Sequence, residues 1–152
     1  MAVEVGQPAP TFELPDQDGN PSSLGDLAGS RSLIVFIPFP FTGICDGEVC
    51  AIRDDIGTLG DLDARVIVIT CHAKPTNARW ATEHGIDFPV LADFWPHGEV
   101  ARAYGVLDER LGVASRTTFV LDADGIVRDV IASDSLGTAR EHDAYASALA
   151  AV

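Results

Sequence analysis

Cysteine, positive charge and long hydrophobic runs are all scarce in this 152-residue chain, and each shortage removes a class of function. Its three cysteines are too few, and odd in number, for the disulfide framework of a small secreted domain. They serve chemistry or packing instead. No apolar run approaches the roughly 20 residues that span a bilayer. The opening Met1 to Val5 lacks the basic region and apolar core of a secretory signal, so a cytoplasmic location is expected. Lysine and arginine number 10 against 23 acidic residues, a net charge of −13. Such a surface repels a nucleic-acid backbone and an anionic membrane, and neither partner is expected. A small neutral substrate meets no such penalty. No repeat, low-complexity tract or linker interrupts the chain. Residues 1–152 read as a single domain, long enough to bury a core without staples.

What is present alternates between strand and helix. Gly6 to Pro15 holds too many prolines for a helix and reads as extended edge structure, and Asp18-Gly19-Asn20 reads as a turn. A buried strand at about 31–38, built on Leu33 to Ile37, leads into a helix at about 43–57. Arg65 to Thr70 is a second buried strand, and Thr76 to His84 a helix stopped by Gly85. Phe88 to Leu91 is a short strand, and Glu99 to Tyr104 a short helix stopped by Gly105. Thr117 to Leu121 and Ile126 to Ile131 flank Asp124-Gly125 as a hairpin, and Thr138 to Ala150 closes the chain as a helix. This order predicts an α/β fold, a thioredoxin-like sandwich whose central mixed β-sheet is flanked by helices. Ligand chemistry in such sheets gathers beyond the carboxyl ends of parallel strands. Cys45 and Cys71 both fall there.

Cys45 carries the strongest chemical signal. It sits in the first turn of the helix that follows a buried strand, facing unpaired backbone N–H groups and the positive end of the helix dipole. Both favour a thiolate, a nucleophile made without a metal. Taken alone, the residue would also suit a buried packing position. Its context is Pro38-x3-Thr42-x2-Cys45, with Glu48 three residues further on. Thr42 also suits a helix N-cap, and Pro38 a simple strand end.

This spacing resembles the active-site signature of the peroxiredoxins. The resemblance extends to Gly6 to Phe12, to Phe88 to Gly98 and to Ser115 to Val120, and so to essentially the whole chain. Within the alkyl hydroperoxide reductase/thiol-specific antioxidant type, it is strongest toward the actinobacterial alkyl hydroperoxide reductase E branch, a one-cysteine type. It implies a thiol-dependent peroxidase acting on hydrogen peroxide, alkyl hydroperoxides and peroxynitrite through a Cys45 sulfenic acid. It also implies a homodimer, and thioredoxin, mycoredoxin or a low-molecular-weight thiol as reductant. Residue by residue, Cys45 would be the peroxidatic thiol, with Thr42 bonding sulfur and peroxide and Pro38 shielding the thiolate. Arg116, just before the hairpin, would reach the sulfur, and Glu48 would brace the arginine. No cofactor or metal is called for: Cys45, Cys50, Cys71 and His72 match no zinc spacing. Phe39 and Pro40 depart from the smaller or aliphatic residues expected at those positions.

A sulfenic acid needs a second thiol to complete a cycle. Cys50 lies five residues past Cys45, a Cα separation of about 8.6 Å on a regular helix. A disulfide tolerates about 7 Å, so a bond requires the first turns to unwind. The apolar stripe Cys45, Val49, Ile52, Ile56 and Leu59 leaves Cys50 off to the Asp46/Asp54 side. Cys50 is either the resolving thiol, as a five-residue offset is in bacterioferritin-comigratory peroxiredoxins, or an incidental surface thiol. Cys71 reads as a buried strand-end residue or a pocket-edge thiol, and Trp80, Phe94 and Trp95 as core aromatics, a wall beside the site or a dimer patch. A disulfide oxidoreductase would need Cys-x2-Cys, which is absent. A peroxide-sensing switch without efficient turnover would share the same residues, and turnover distinguishes it from an enzyme.

Overall fold

β-Branched and aromatic residues concentrate in two segments that form the middle of the sheet. In the computed structural model, which describes residues 3–56 and 64–152, these are β3 (Arg31–Phe36) and β4 (Ala64–Thr70). They run parallel, with Leu33 opposite Val66 and Phe36 opposite Ile69. The five-stranded sheet has the order β5-β4-β3-β8-β9, with β5 at Val90–Ala92, β8 at Thr117–Leu121 and β9 at Val127–Ala132. β5 joins β4 in parallel, while β8 and β9 are antiparallel to their neighbours. The mixed sheet and its flanking helices are the expected α/β sandwich. A small hairpin, β1 (Glu13–Pro15) with β2 (Pro21–Ser23), lies ahead of it in the chain.

Among the described residues the α-helices are α1 (Gly43–Asp54), α2 (Lys74–His84), α3 (Glu99–Ala103) and α4 (Ala144–Ala150). Alternate residues of each strand point to opposite faces, so the sheet divides the core in two. On one face Leu33, Val35 and Ile37 pack with Cys45, Val49 and Ile52 of α1, Trp80 of α2 and Leu149 of α4. On the other, Ile34, Phe36 and Ile69 pack with Tyr104, Phe119 and Cys71.

Several boundaries differ from expectation. Helix α1 stops at Asp54, and Ile56 is 40 % exposed, so the apolar stripe ends at Ile52; Leu59 lies outside the described residues. Two two-residue strands, β6 (Leu107–Asp108) and β7 (Val113–Ala114), form a hairpin with no strand-length apolar pattern to announce it. The closing helix begins at Ala144 rather than Thr138. Upstream, the Ser133 hydroxyl donates to the Ser135 and Thr138 carbonyls, a local alternative to helical bonding. The backbone N–H of Arg140 is drawn instead to a buried carboxylate. Trp80 is core as expected, whereas Phe94 and Trp95 are 50 % and 82 % exposed and are not core residues.

Candidate active site

Strand β3 ends at Phe36, and two prolines, Pro38 and Pro40, keep the following segment from continuing either a strand ladder or a helix. The chain then reverses at Phe41, whose φ of 70° is rare for a residue with a side chain. The Phe41 N–H donates to Asp46 Oδ1 at 3.1 Å, which holds this turn on the start of α1. Thr42 takes the N-cap position with extended backbone angles. Its hydroxyl donates back to the Phe39 carbonyl at 2.7 Å, rather than to the Cys45 sulfur as expected or to the helix as a cap. Cys45 follows in the first turn, fully buried.

Two donors converge on the sulfur. Arg116 Nη1 lies 3.0 Å from Cys45 Sγ, and the Phe39 N–H donates to it at 3.4 Å. Arg116 stands immediately before β8, and its Nε donates to the Leu136 carbonyl at 2.6 Å, which fixes the plane of the guanidinium. The same Nη1 donates to Glu48 Oε1 at 2.7 Å. Glu48, one turn along α1 from Cys45, is also gripped by Arg140. The Arg140 backbone N–H and Nε donate to Oε2 at 2.7 and 2.9 Å, and Nη2 donates to Oε1 at 3.0 Å. Arg140 Nη1 completes the anchor on the Phe36 carbonyl at 2.7 Å and Thr118 Oγ1 at 3.2 Å. Burial alone would raise the Glu48 carboxyl, but hydrogen bonds and charge from Arg140, with a further bond from Arg116, hold it below the usual range. The cluster therefore holds two guanidiniums and one carboxylate, leaving one positive charge beside the thiol.

Pro38 is buried, and its carbonyl faces His72 Nε2 at 3.1 Å. Pro38, Thr42, Cys45, Glu48 and Arg116, scattered over almost 80 residues, are thus brought to the carboxyl end of β3.

Comparison with known proteins agrees with this geometry. The AhpC/TSA family profile matches residues 5–130. The chain belongs to the AhpC/TSA family. Its similarity to alkyl hydroperoxide reductase E of Mycobacterium tuberculosis is 41 % identity, covering 99 % of this chain and 98 % of the relative. Peroxiredoxin Bcp of Escherichia coli is 31 % identical, over 93 % of this chain and 92 % of its own. Among solved structures, peroxidoxin BcpB from Mycobacterium tuberculosis superposes with a TM-score of 0.87 at 33 % identity, covering 99 % and 98 % of the two chains. The peroxiredoxin resemblance and the thioredoxin-like fold hold, and with them the class of thiol-dependent peroxidase.

The remaining cysteines of this AhpC/TSA chain occupy different environments. Cys71 follows β4 on the opposite face of the sheet from Cys45, only 2 % exposed. Burial, reinforced by the nearby charge of Asp93, pushes its thiol up to about 12, so it stays protonated and inert at neutral pH. Cys50 is partly exposed on α1, with its sulfur 3.8 Å from His84 Nδ1. It belongs with the Asp46 side of the helix, as the stripe implied.

Two residues of the site escaped the sequence. Arg140 sits in the segment expected as part of the closing helix, and nothing local announces its contact with Glu48, 92 residues upstream. His84 was expected only as the last residue of a helix stopped by Gly85. Its contact with Asp46, 38 residues upstream, has no local signature.

Proposed function

We propose that this peroxiredoxin reduces hydroperoxides at Cys45, with Arg116, Thr42 and Pro38 completing the peroxidatic site and Glu48 bracing the arginine. The observation that carries the reading is the 3.0 Å approach of Arg116 Nη1 to Cys45 Sγ. A guanidinium stays charged at all relevant pH. With Arg116 and Arg140 against Glu48, a Cys45 thiolate makes the buried set electrically neutral, whereas a neutral thiol leaves a net buried cation. The Phe39 N–H adds a second donor to the sulfur. The thiolate attacks one peroxide oxygen; an S–O bond forms as the O–O bond breaks, and the departing oxygen takes a proton from water and leaves as alcohol or water, or leaves as nitrite from peroxynitrite. Arg116 and the backbone amide are placed to stabilise charge moving from sulfur to that oxygen. Cys45 is buried directly after the exposed residues Phe41 to Ile44.

The product is a Cys45 sulfenic acid, returned to the thiol by Cys50 or by an external thiol such as thioredoxin, mycoredoxin or a low-molecular-weight thiol. Hydrogen peroxide, alkyl hydroperoxides and peroxynitrite are the substrates this chemistry admits. The whole chain is read as one domain, acting as a homodimer in the cytoplasm. No helix among the described residues is long and apolar enough to cross a membrane.

Cys45→Ser should abolish peroxide consumption in a thiol-coupled assay, and full activity in that variant would end the assignment. Arg116→Lys should slow the first oxidation about 100-fold, because one ammonium cannot reproduce bonds to Cys45, Glu48 and Leu136 together. Steady turnover with an added reductant separates an enzyme from a single-use sensor.

A further inference from the structure

Outside the peroxidatic cluster, one group of side chains has the arrangement of an activated nucleophile. His84, the last residue of α2, lies between two residues of α1. Its Nδ1 faces Cys50 Sγ at 3.8 Å, and its Nε2 lies 3.2 Å from Asp46 Oδ2. An ionised carboxylate only accepts hydrogen bonds, so Asp46 fixes the tautomer with the proton on Nε2 and a free acceptor on Nδ1. The carboxylate is itself immobilised. Its Oδ1 accepts from Trp80 Nε1 at 2.6 Å and from the Phe41 N–H at 3.1 Å, and the Trp80 ring packs against the imidazole at 5.8 Å between centroids. A thiol, an imidazole that can take its proton and a carboxylate that orients the imidazole form the constellation of general-base-assisted thiol chemistry.

We propose that Cys50, His84 and Asp46 form a proton-transfer triad in which His84 accepts the Cys50 proton and Asp46 positions the ring, arming Cys50 to attack oxidised Cys45. The proposal rests on the reading of Cys50 as the resolving thiol. The Cys50 S–H proton passes to His84 Nδ1, and the thiolate attacks the sulfenic sulfur of Cys45. An S–S bond forms as the S–O bond breaks, and the leaving hydroxide takes the proton from the imidazolium and departs as water. The hydroperoxide has already supplied the oxidising equivalents. Because the triad is assembled on the intact helix, the proton leaves Cys50 before the turn carrying Cys45 and Asp46 opens.

Charged residues beside this group include Asp46 on the ring, Arg53 with its partner Asp54 on α1, and Glu83, the chain neighbour of His84. Arg53 acts on Cys50 by its charge and donates to the His84 carbonyl, while its guanidinium pairs with Asp54 at 2.9 Å. Glu83 pairs with Arg79 at 2.7 Å on the exposed side of α2. Asp46 is therefore the carboxylate that sets the ring's orientation.

The test is the pH profile of Cys50 alkylation by iodoacetamide in a Cys45→Ser/Cys71→Ser background, where Cys50 is the sole thiol. His84→Gln should slow alkylation at neutral pH by about tenfold and move the inflection of the profile upward. Asp46→Asn should move it in the same direction. Added imidazole should restore the rate in His84→Ala, which a purely structural role for His84 would not produce. Thermal melts confirm that each variant is folded. Superimposable profiles for parent and His84→Gln would overturn the triad. In the protein with all three cysteines, His84→Gln should slow formation of the Cys45–Cys50 disulfide by the same factor after one equivalent of hydroperoxide. Absence of that disulfide from the unmodified protein, read by mass spectrometry, would sink the resolving role of Cys50. That outcome is separate from the alkylation profile, which tests proton transfer alone.

Discussion

Arg140 and Glu48 meet through three hydrogen bonds of 2.7 to 3.0 Å, two from the guanidinium and one from the Arg140 backbone. A segment just before the last helix is thereby fastened to the first helix of the site, and Arg140 also reaches the Phe36 carbonyl at the end of β3. The side chain of Arg140 is fully buried and that of Glu48 is 5 % exposed, so neither charge has water to fall back on. Arg140→Met leaves Glu48 with Arg116 as its sole cationic partner and removes the donor to the Phe36 carbonyl and Thr118 Oγ1. Removing one member of a buried ion pair costs about 3–5 kcal/mol. The urea midpoint of Arg140→Met should fall accordingly, and an unchanged midpoint would mean that the network contributes nothing to the fold.

The same pair makes stability depend on acid. The Glu48 carboxyl is held below its ordinary range, because its arginine contacts outweigh the opposing effect of burial. A carboxyl lowered in the native state stabilises the protein fully above its unfolded value of about 4.3 and loses that contribution as pH falls through the lower native value. Unfolding free energy measured in urea should thus fall more steeply below about pH 5 in the unmodified protein than in Glu48→Gln. Above that range the two curves should run parallel, with the glutamine variant lower. A glutamine variant with the same acid slope would assign the acid sensitivity to other carboxyls.

Much of this was legible in the chain because it is written locally. The buried strands came from runs such as Val66 to Ile69, and the thiol's place at a helix start came from two prolines followed by a helical stripe. Arg116 was placed by the peroxiredoxin resemblance, which puts an arginine just before β8; its bond to a residue 71 positions away is tertiary and has no local pattern. Arg140 was not legible. Residues from Thr138 onward have helical propensity, but the hydroxyls of Ser133 and Ser135 and the pull of a buried carboxylate override it. His84 illustrates the same limit, since its partners Cys50 and Asp46 lie on another helix. Propensity describes neighbours in sequence, and these contacts are between neighbours in space.

Cys71 offers a control for every thiol experiment. Its thiol, pushed up to about 12 mainly by burial, should resist iodoacetamide at pH 7 to 8 in the folded protein and react once the chain is unfolded. Cys71→Ala should leave peroxide turnover unchanged and cost about 1 kcal/mol of stability from lost packing. Mass spectrometry after alkylation under native conditions checks the first point, and thermal melting the second. Rapid native labelling at Cys71 would show that the far face of the sheet opens far more readily than its packing implies.

Gly47 tests how the two thiols of α1 come together. It lies between Cys45 and Cys50 within the helix, and a Cβ added there would meet nothing within 4 Å. Gly47→Ala therefore fits without a clash and removes the backbone entropy that glycine brings to a helix, a gain of about 0.5–1 kcal/mol. A Cys45–Cys50 bond cannot form across an intact helix, because a five-residue offset keeps the Cα atoms about 8.6 Å apart. If the first turns must unwind for the bond to form, stabilising them should slow that step about threefold, the rate equivalent of about 0.7 kcal/mol. The first oxidation of Cys45 precedes the unwinding and should keep its rate. Stopped-flow fluorescence can follow the two phases, with mass spectrometry at matched times to count the disulfide. An unaltered second phase in a measurably more stable Gly47→Ala protein would show that the thiols meet by another route, with helix opening no part of the slow step.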